Sequence, residues 1–497
     1  MFLLYFLITF LLVTILTFLS GKYAKYISTG FISIILIAFS IYSLIIFNSY
    51  RGNVISYSSF LISSLSIHLV NICIIFSIGL TGFTDILVIM SLIVTLFSLL
   101  ISSKSRPPEF FGLLMASGLG LVGVFVSRNL LFFYIFWEIV LIPVFFIISK
   151  YGTGNHRKSS LKFFIYTHIG SLFMLLSIFT LSTYFYLDTG LITFQFSDLL
   201  NLKFIKTIPV YSFYFIIFGF LLSFLIKLPS FPVHTWLPDA HFDAPYPGTV
   251  MLSGGLLAMG GYGFFGILEP VGSLFPKYLI YFIILLGLIS VVYFSFVALM
   301  QEDLKKMAAY ASITEMAFVT ISFGTALLSH GYAKTMDIAG GMYQLLSHAL
   351  VNSFMLAALL FIKKRTGTVK IYALSGIYRE MPLLATFLLI SMLASLGLPS
   401  LPGFIGEFSV TISAYQSIGM LTIIMVIGLL VTSSYFIWAA QRTLFGPFKE
   451  RLGRLKDANR AEIAILGLIF AVNIFFGIYP TLAFKILTIY AAHLAAL

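Results

Sequence analysis

Five ionisable residues lie inside stretches that are otherwise apolar. Glu138 sits in FFYIFWEIVLIPVFF (132–146), Lys227 in IKLPSFPVHTW, Glu315 in AAYASITEMAF, His348 in LLSHALVNSF and Glu407 in LGLPSLPGFIGEF. A carboxylate, an amine and an imidazole in a medium of low dielectric share one chemistry, which is holding or passing a proton. Near a bilayer centre such a group costs about 2.5–3.5 kcal/mol, so it is a functional candidate by default. Glu138 and Lys227 read as partners: each favours the other's charged form, while burial pushes both toward neutrality. A pair poised in that way changes protonation when a neighbouring charge moves. The bland alternative is a static buried ion pair that fixes packing. His348 has an unperturbed pKa near neutrality and can pass a proton. Glu315 with Glu407 gives the second half of the chain an acidic bias that suits an exit for protons or cations. Asp85 begins its apolar run and lies closer to a surface.

The elements that hold these residues must be membrane helices. The chain has 497 residues, 60% hydrophobic and 9% charged, where a soluble domain carries about 25% charged residues. Apolar runs long enough to cross a bilayer follow one another at 2–20, 27–48, 83–102, 109–126, 130–149, 161–187, 209–230, 247–268, 278–299, 306–328, 337–362, 381–404, 412–440 and 462–484. The fold class is therefore all-α and polytopic, with about 14 spans; the runs are continuous, which excludes the alternation of a strand barrel. The serine-rich stretch 52–80 reads as an extracytoplasmic hairpin or surface segment. The first run has no basic residue before it and reads as a retained span rather than a cleaved signal. A single cysteine, Cys73, excludes a disulfide framework and a cysteine-ligated cluster.

The net charge of +12 would suggest nucleic acid in a soluble protein; here it follows the positive-inside rule. Sorted by loop, twenty-one Lys and Arg fall after odd-numbered spans and seven after even-numbered spans or in the C-terminal tail, with Lys227 alone inside a span. That asymmetry puts odd loops in the cytoplasm and both termini outside. Leu-Pro-Ser-x-Pro occurs twice, at 228–232 in span 7 and 398–402 in span 12. Paired prolines break a helix, and an odd separation of five spans inverts the orientation. The pattern is that of two inverted five-helix repeats, spans 4–8 and 9–13, with interrupted helices marking an ion pathway. The expected units are 1–106, 107–270, 271–445 and 446–497. His234, Asp239, His241 and Asp243 include metal-ligand residue types, but they suit capping and loop closure better. His168 reads as a packing histidine. SGGLLAMGGYG and DIAGGMY allow close helix approach and lack the context of a phosphate loop.

Together FFYIFWEIVLIPVFF, KLPSFPVHTWLPDAHFDAP, EDLKKMAAYASITEMAFV, LLSHALVNSFMLAALLF and LASLGLPSLPGFIGEF resemble the antiporter-like subunits of NADH:quinone oxidoreductase (complex I), of the chain M or subunit 4 type. The resemblance runs from about 80 to 450. It implies 14 helices in two inverted repeats, no redox centre or cofactor on this chain, and proton movement coupled to quinone reduction elsewhere in the complex. It also implies proton-translocation roles for Glu138, Lys227, His348 and Glu407, with Glu407 standing where related chains usually carry lysine. Two residues depart from the pattern: Ala258 stands where the family usually has a span-8 lysine, and Glu315 where it often has histidine. The departures are read as replacement, with water and Glu315 standing in for the missing relay groups and Glu315 part of the path; the alternatives are weaker pumping, another ion or a structural role.

The expected function is a proton-translocating membrane subunit of a complex I-like oxidoreductase. Its partners would be other membrane subunits, the lipid bilayer and protons, with sodium as the alternative ion and no nucleic acid. The rivals are a subunit of an Mrp-type cation/proton antiporter or of a membrane-bound hydrogenase, and a purely structural spacer. The multi-pass chain is expected in a prokaryotic plasma membrane.

Overall fold

The computed structural model describes residues 2–49, 62–67 and 72–496. The helices are α1 (Phe2–Leu19), α2 (Ala24–Ser49), α3 (Gly82–Ile101), α4 (Pro108–Val126), α5 (Leu130–Tyr151), α6 (His156–Thr189), the short α7 (Phe196–Leu199) and α8 (Leu202–Ile205), α9 (Val210–Lys227) and α10 (Trp236–Asp243). They continue as α11 (Tyr246–Met251), α12 (Leu257–Tyr262), α13 (Lys277–Leu299), α14 (Leu304–Ala326), α15 (Gly331–Thr366), α16 (Pro382–Ser395), α17 (Pro402–Ile418), α18 (Thr422–Ala440), α19 (Arg460–Ile478) and α20 (Thr481–Ala496). Between α2 and α3, β1 (Ile62–Ile67) pairs antiparallel with β2 (Ile72–Phe76). This hairpin falls in the 52–80 stretch, of which 52–61 and 68–71 lie outside the described residues.

Helix starts follow from local chemistry. Asn129 caps α5 by accepting from the amides of Leu131 and Phe132 at 2.9 and 3.2 Å, and Asp303 caps α14 by accepting from Lys305 and Lys306. These bonds satisfy amide donors that a helix cannot pair internally. Thirteen segments among the described residues are long and apolar enough to cross a membrane. One of them, Pro402–Phe445, contains both α17 and α18. Since α16 continues through a break into α17, the crossings agree with the 14 expected.

Both Leu-Pro-Ser-x-Pro stretches break their helices. In span 7, α9 ends at Lys227 and α10 resumes at Trp236; the Trp236 indole N–H bridges the gap by donating to the Ile226 carbonyl at 2.9 Å. In span 12, α16 ends at Ser395 and α17 begins at Pro402, where a missing N–H costs nothing. Span 8, Tyr246–Leu274, is buried nearly throughout, and its α-helical pieces alternate with π-helical turns at Leu252–Leu256 and Gly263–Leu268. Wide turns of this kind recur at functional sites.

The longest helix, α15, has 36 residues and packs against α14, α16, α17, α19, α20 and α3. It is the axis of the second half of the bundle. One expectation is corrected at the C-terminus. The last span ends at Ile478 rather than 484, and a second helix, α20, follows Pro480. α20 lies against α3 and α15, with Tyr490 6.2 Å from Phe83 and Phe484 5.7 Å from Tyr343 between ring centres. A proline restricts the residue before it to extended backbone, so Tyr479-Pro480 is where the run turns.

Candidate functional site

The first group lies where α5 meets α6. Glu138 does not pair with Lys227: its Oε2 stands 3.1 Å from Nδ1 of His168 instead. Sequence reasoning had made His168 a packing residue. It does stack on Phe164, ring centres 5.4 Å apart, but its other role is as partner to Glu138. The pair is half-buried, with the His168 side chain 38% exposed, and Ile135, Ile139, Ile165 and Ile169 are exposed around it.

Lys227 is 1% exposed, and its Nζ has no hydrogen-bond partner. It lies over the Trp137 ring, 5.1 Å from the ring centre, a cation–π contact contributing about 2 kcal/mol when desolvated. Glu138 acts on it only through its field. The expected partnership survives as a field and not as a contact: α5 points Trp137 at the lysine and turns the next residue, Glu138, toward α6, because neighbours in a helix face directions about 100° apart. Three residues past Lys227, in the break, the hydroxyls of Ser230 and Thr320 of α14 are 3.3 Å apart. This contact joins the first broken helix to the centre of the molecule.

The centre is a buried polar network on α14, α15 and the first π turn of span 8. Nδ1 of His348 stands 2.6 Å from Oε2 of Glu315, and its Nε2 is 3.1 Å from the Ser253 hydroxyl. The Asn352 amide donates to Ser253 at 2.5 Å and to Ser312 at 2.6 Å. The chain of bonds is consistent when neutral His348 carries its proton on Nδ1, donates it to Glu315, and accepts from Ser253. An acid, an imidazole and a hydroxyl thus stand in hydrogen-bonding series, groups whose chemistry allows a proton to be passed along them. Ala258 lies buried in the same span, with no side chain able to take part.

Glu407, on the second turn of α17, is buried. Its position depends on Gly397 in the span-12 break, which has φ +77°, and a Cβ there would stand 2.7 Å from Oε2 of Glu407. The Gly397→Ala substitution is expected to destabilise the assembled protein by about 1–2 kcal/mol from backbone strain alone, and to displace Glu407. A thermal unfolding midpoint equal to that of the unmodified protein would contradict this. Glu315 and Glu407 act on each other through their fields, and both act on Tyr435 of α18. The Tyr435 hydroxyl is buried, with Thr432 beside it.

The residue types that suggested a metal do not converge. Asp239 pairs with Lys162 at 2.8 Å, Asp243 accepts from Ser159 at 2.5 Å, and His234 packs on the Phe294 ring. Among the described residues no group of three His, Cys, Asp or Glu could hold a metal ion. His241 is fully buried with both ring nitrogens unpartnered, and the fields of Lys305 and His348 both reach it. Lys305 itself donates to the carbonyls of Phe242 and Ala244 at 2.9 and 2.5 Å. It helps to line a cavity of about 240 Å³ with Arg106, Tyr246, Lys363 and Lys364 at the basic end of the bundle.

The sequence profile of the family described as NADH:quinone oxidoreductase/Mrp antiporter, TM, matches residues 127–433. The chain belongs to this family. It is 37% identical to the F(420)H(2) dehydrogenase subunit M of Methanosarcina mazei over 414 residues, covering 82% of this chain and 81% of that one. It is 33% identical to the NADH-quinone oxidoreductase subunit M of Rickettsia prowazekii, with 82% and 80% covered. A chain of respiratory complex I from Thermus thermophilus shares the fold, with TM-score 0.82, 24% identity and 95% of each chain covered. At the span-8 position this chain has the buried Ala258, and the polar side chains of the central network are Ser253, Ser312 and Asn352. Asn352 was findable, since it follows His348 by four residues and so shares its helix face. Tyr435 and Ser230 carried no such signal, because only the packing of separate helices brings them to the site.

Proposed function

We propose that the chain is the proton-translocating, antiporter-like membrane subunit of a complex I-like oxidoreductase, the counterpart of its subunit M relatives. One observation carries this: ionisable groups that are costly to bury stand in the interior of a bundle with two broken helices, where His348 is in contact with Glu315 and the fields of His348 and Glu315 reach His241 and Glu407 respectively. Protons would enter at the basic, cytoplasmic cavity beside Lys305 and pass His241 to the His348–Glu315 pair. They would leave by way of Glu407. Lys227 and Glu138 would form the charged half that responds to events elsewhere in the complex. The units 107–270 and 271–445 each contain one broken helix, which supports reading them as the two repeats.

A half-exposed Glu138–His168 pair in an apolar belt is costly against lipid. A neighbouring membrane subunit covering the α5–α6 face would remove that cost. The charge asymmetry of the loops supports cytoplasmic odd loops and extracytoplasmic termini, and we infer a prokaryotic plasma membrane. The redox centres would lie on other subunits, leaving this chain no cofactor of its own.

The test uses the complex assembled around this chain, reconstituted into liposomes with a pH-sensitive dye inside. Redox turnover is expected to acidify the lumen equally in sodium-free and sodium-containing buffer, and Glu407→Gln is expected to lower acidification and turnover together. Acidification that requires sodium would point to the antiporter reading, and unchanged acidification in Glu407→Gln to a structural spacer.

A further inference from the structure

A second buried charged cluster lies at the end of the bundle where α15 begins, beyond the residues used so far. Glu269 follows the second π turn of span 8 and is fully buried as a side chain. Lys334 Nζ pairs with its Oε1 at 2.9 Å, while its Oε2 accepts no hydrogen bond. One turn along α15 from Lys334, Asp337 is fully buried. It accepts from Thr325 at 2.9 Å and from Ser329 at 2.7 Å, and Ser413 of α17 also bears on it.

This cluster lies on the same helices as the central network. Asp337, Gln344 and His348 are seven and four residues apart on α15 and share a face. On α14, Glu315, Ser322 and Thr325 are seven and three residues apart and also share a face, and Ser322 donates to the Asp337 carbonyl. The Gln344 amide lies against α17 beside Glu407, since a Cβ on Gly406 would meet its Oε1. Ser347 donates to that oxygen at 3.2 Å. From Gln344 to Asp337 the seam covers about 10 Å of helix, along which Ser322 and Ser413 are the polar groups. A purely structural carboxylate at such depth would have its oxygens hydrogen-bonded. Oε2 of Glu269 is not.

We propose that Asp337 and Glu269 are the proton-release end of the path, downstream of Glu315 and Glu407. A proton leaving either glutamic acid travels past Gln344 to the Asp337 carboxylate, then to Glu269, and from Glu269 to the compartment outside. Each carboxylate accepts one proton and returns it, and the Lys334 ammonium stabilises the carboxylate left behind. Tyr490 of α20 is the other titratable group within the field of Glu269, with Arg128 beside it. The proposal rests on the translocation reading above.

The test uses the whole complex oriented in liposomes, with the pH varied only in the compartment on the Glu269 side. The unmodified complex is expected to slow as that compartment is acidified. Glu269→Gln is expected to turn over at least about tenfold more slowly and to lose that dependence, while keeping its response to pH on the opposite side. Asp337→Asn, which keeps an oxygen for one of the two hydroxyls, should behave alike. Lys334→Gln, at the partly exposed rim, should move the acid inhibition to higher pH. Unmodified rates and profiles in whichever of these variants assemble would overturn the proposal. If Glu407→Gln loses pumping while they do not change, this inference alone fails. If Glu407→Gln is also unaffected, the translocation reading fails with it.

Discussion

Glu315→Gln is expected to reduce redox-driven proton delivery at least tenfold while the protein still assembles. Glutamine has the shape of glutamate and keeps an oxygen that can accept from His348, so the 2.6 Å contact can persist. It cannot take up and release a proton. Tenfold corresponds to about 1.4 kcal/mol, a low value for removing a group that carries the transferred proton. Turnover and lumen acidification should fall together, and native gels should show the complex intact. The pairing adds a sharper requirement. If Glu315 and His348 act as one unit, the double variant Glu315→Gln/His348→Gln should lose little more than either single variant, since coupled residues are not additive. Full activity in Glu315→Gln would leave the central network a packing device and remove the argument that it compensates for Ala258.

Residues differ in how far their roles could be read from the chain. Glu138, Lys227, Glu315, His348 and Glu407 were conspicuous because burial is costly, and cost is visible in one dimension as a charge in an apolar run. The partners were not. Glu138 pairs with His168, 30 residues away, rather than with Lys227, because partner choice is set by the rotation of α5 against α6 and α9. Nothing in the local pattern encodes that rotation. The helix breaks were legible for a local reason, since two prolines three residues apart remove donors wherever they stand. The contribution of Gly397 was not, because it depends on a carboxylate ten residues further on folding back toward it. The C-terminal α20 had a signal in Tyr479-Pro480, outweighed by the continuous apolar character on both sides. In the hairpin, serines alternating with branched residues suggested an exposed segment, and antiparallel pairing of β1 and β2 is how its backbone groups are satisfied.

Lys227→Met is expected to separate stability from function. Nζ of Lys227 is buried with no hydrogen-bond partner, so the ammonium is stabilised mainly by the Trp137 ring and by the field of Glu138. Methionine fills a similar volume without the desolvation cost. Replacing a buried ion pair by apolar groups of like size is commonly neutral or stabilising by about 1–4 kcal/mol; here one charge is removed, Glu138 keeps His168 as its partner, and about 2 kcal/mol of cation–π contact is lost. The two contributions are of similar size, so the variant should unfold close to the temperature of the unmodified protein, while turnover and proton delivery fall at least about tenfold. A lower unfolding temperature would mean that the lysine has a structural partner. A second substitution decides what the charge does. Arginine keeps the charge but does not deprotonate in proteins, so Lys227→Arg retains the field on Glu138 while removing any proton transfer. If Lys227→Arg pumps and Lys227→Met does not, the lysine acts as a fixed positive charge that tunes Glu138. If neither pumps, the lysine must lose its proton in each cycle. In that case its unpartnered burial has a function, because a lysine held without a strong acceptor is one whose proton can leave.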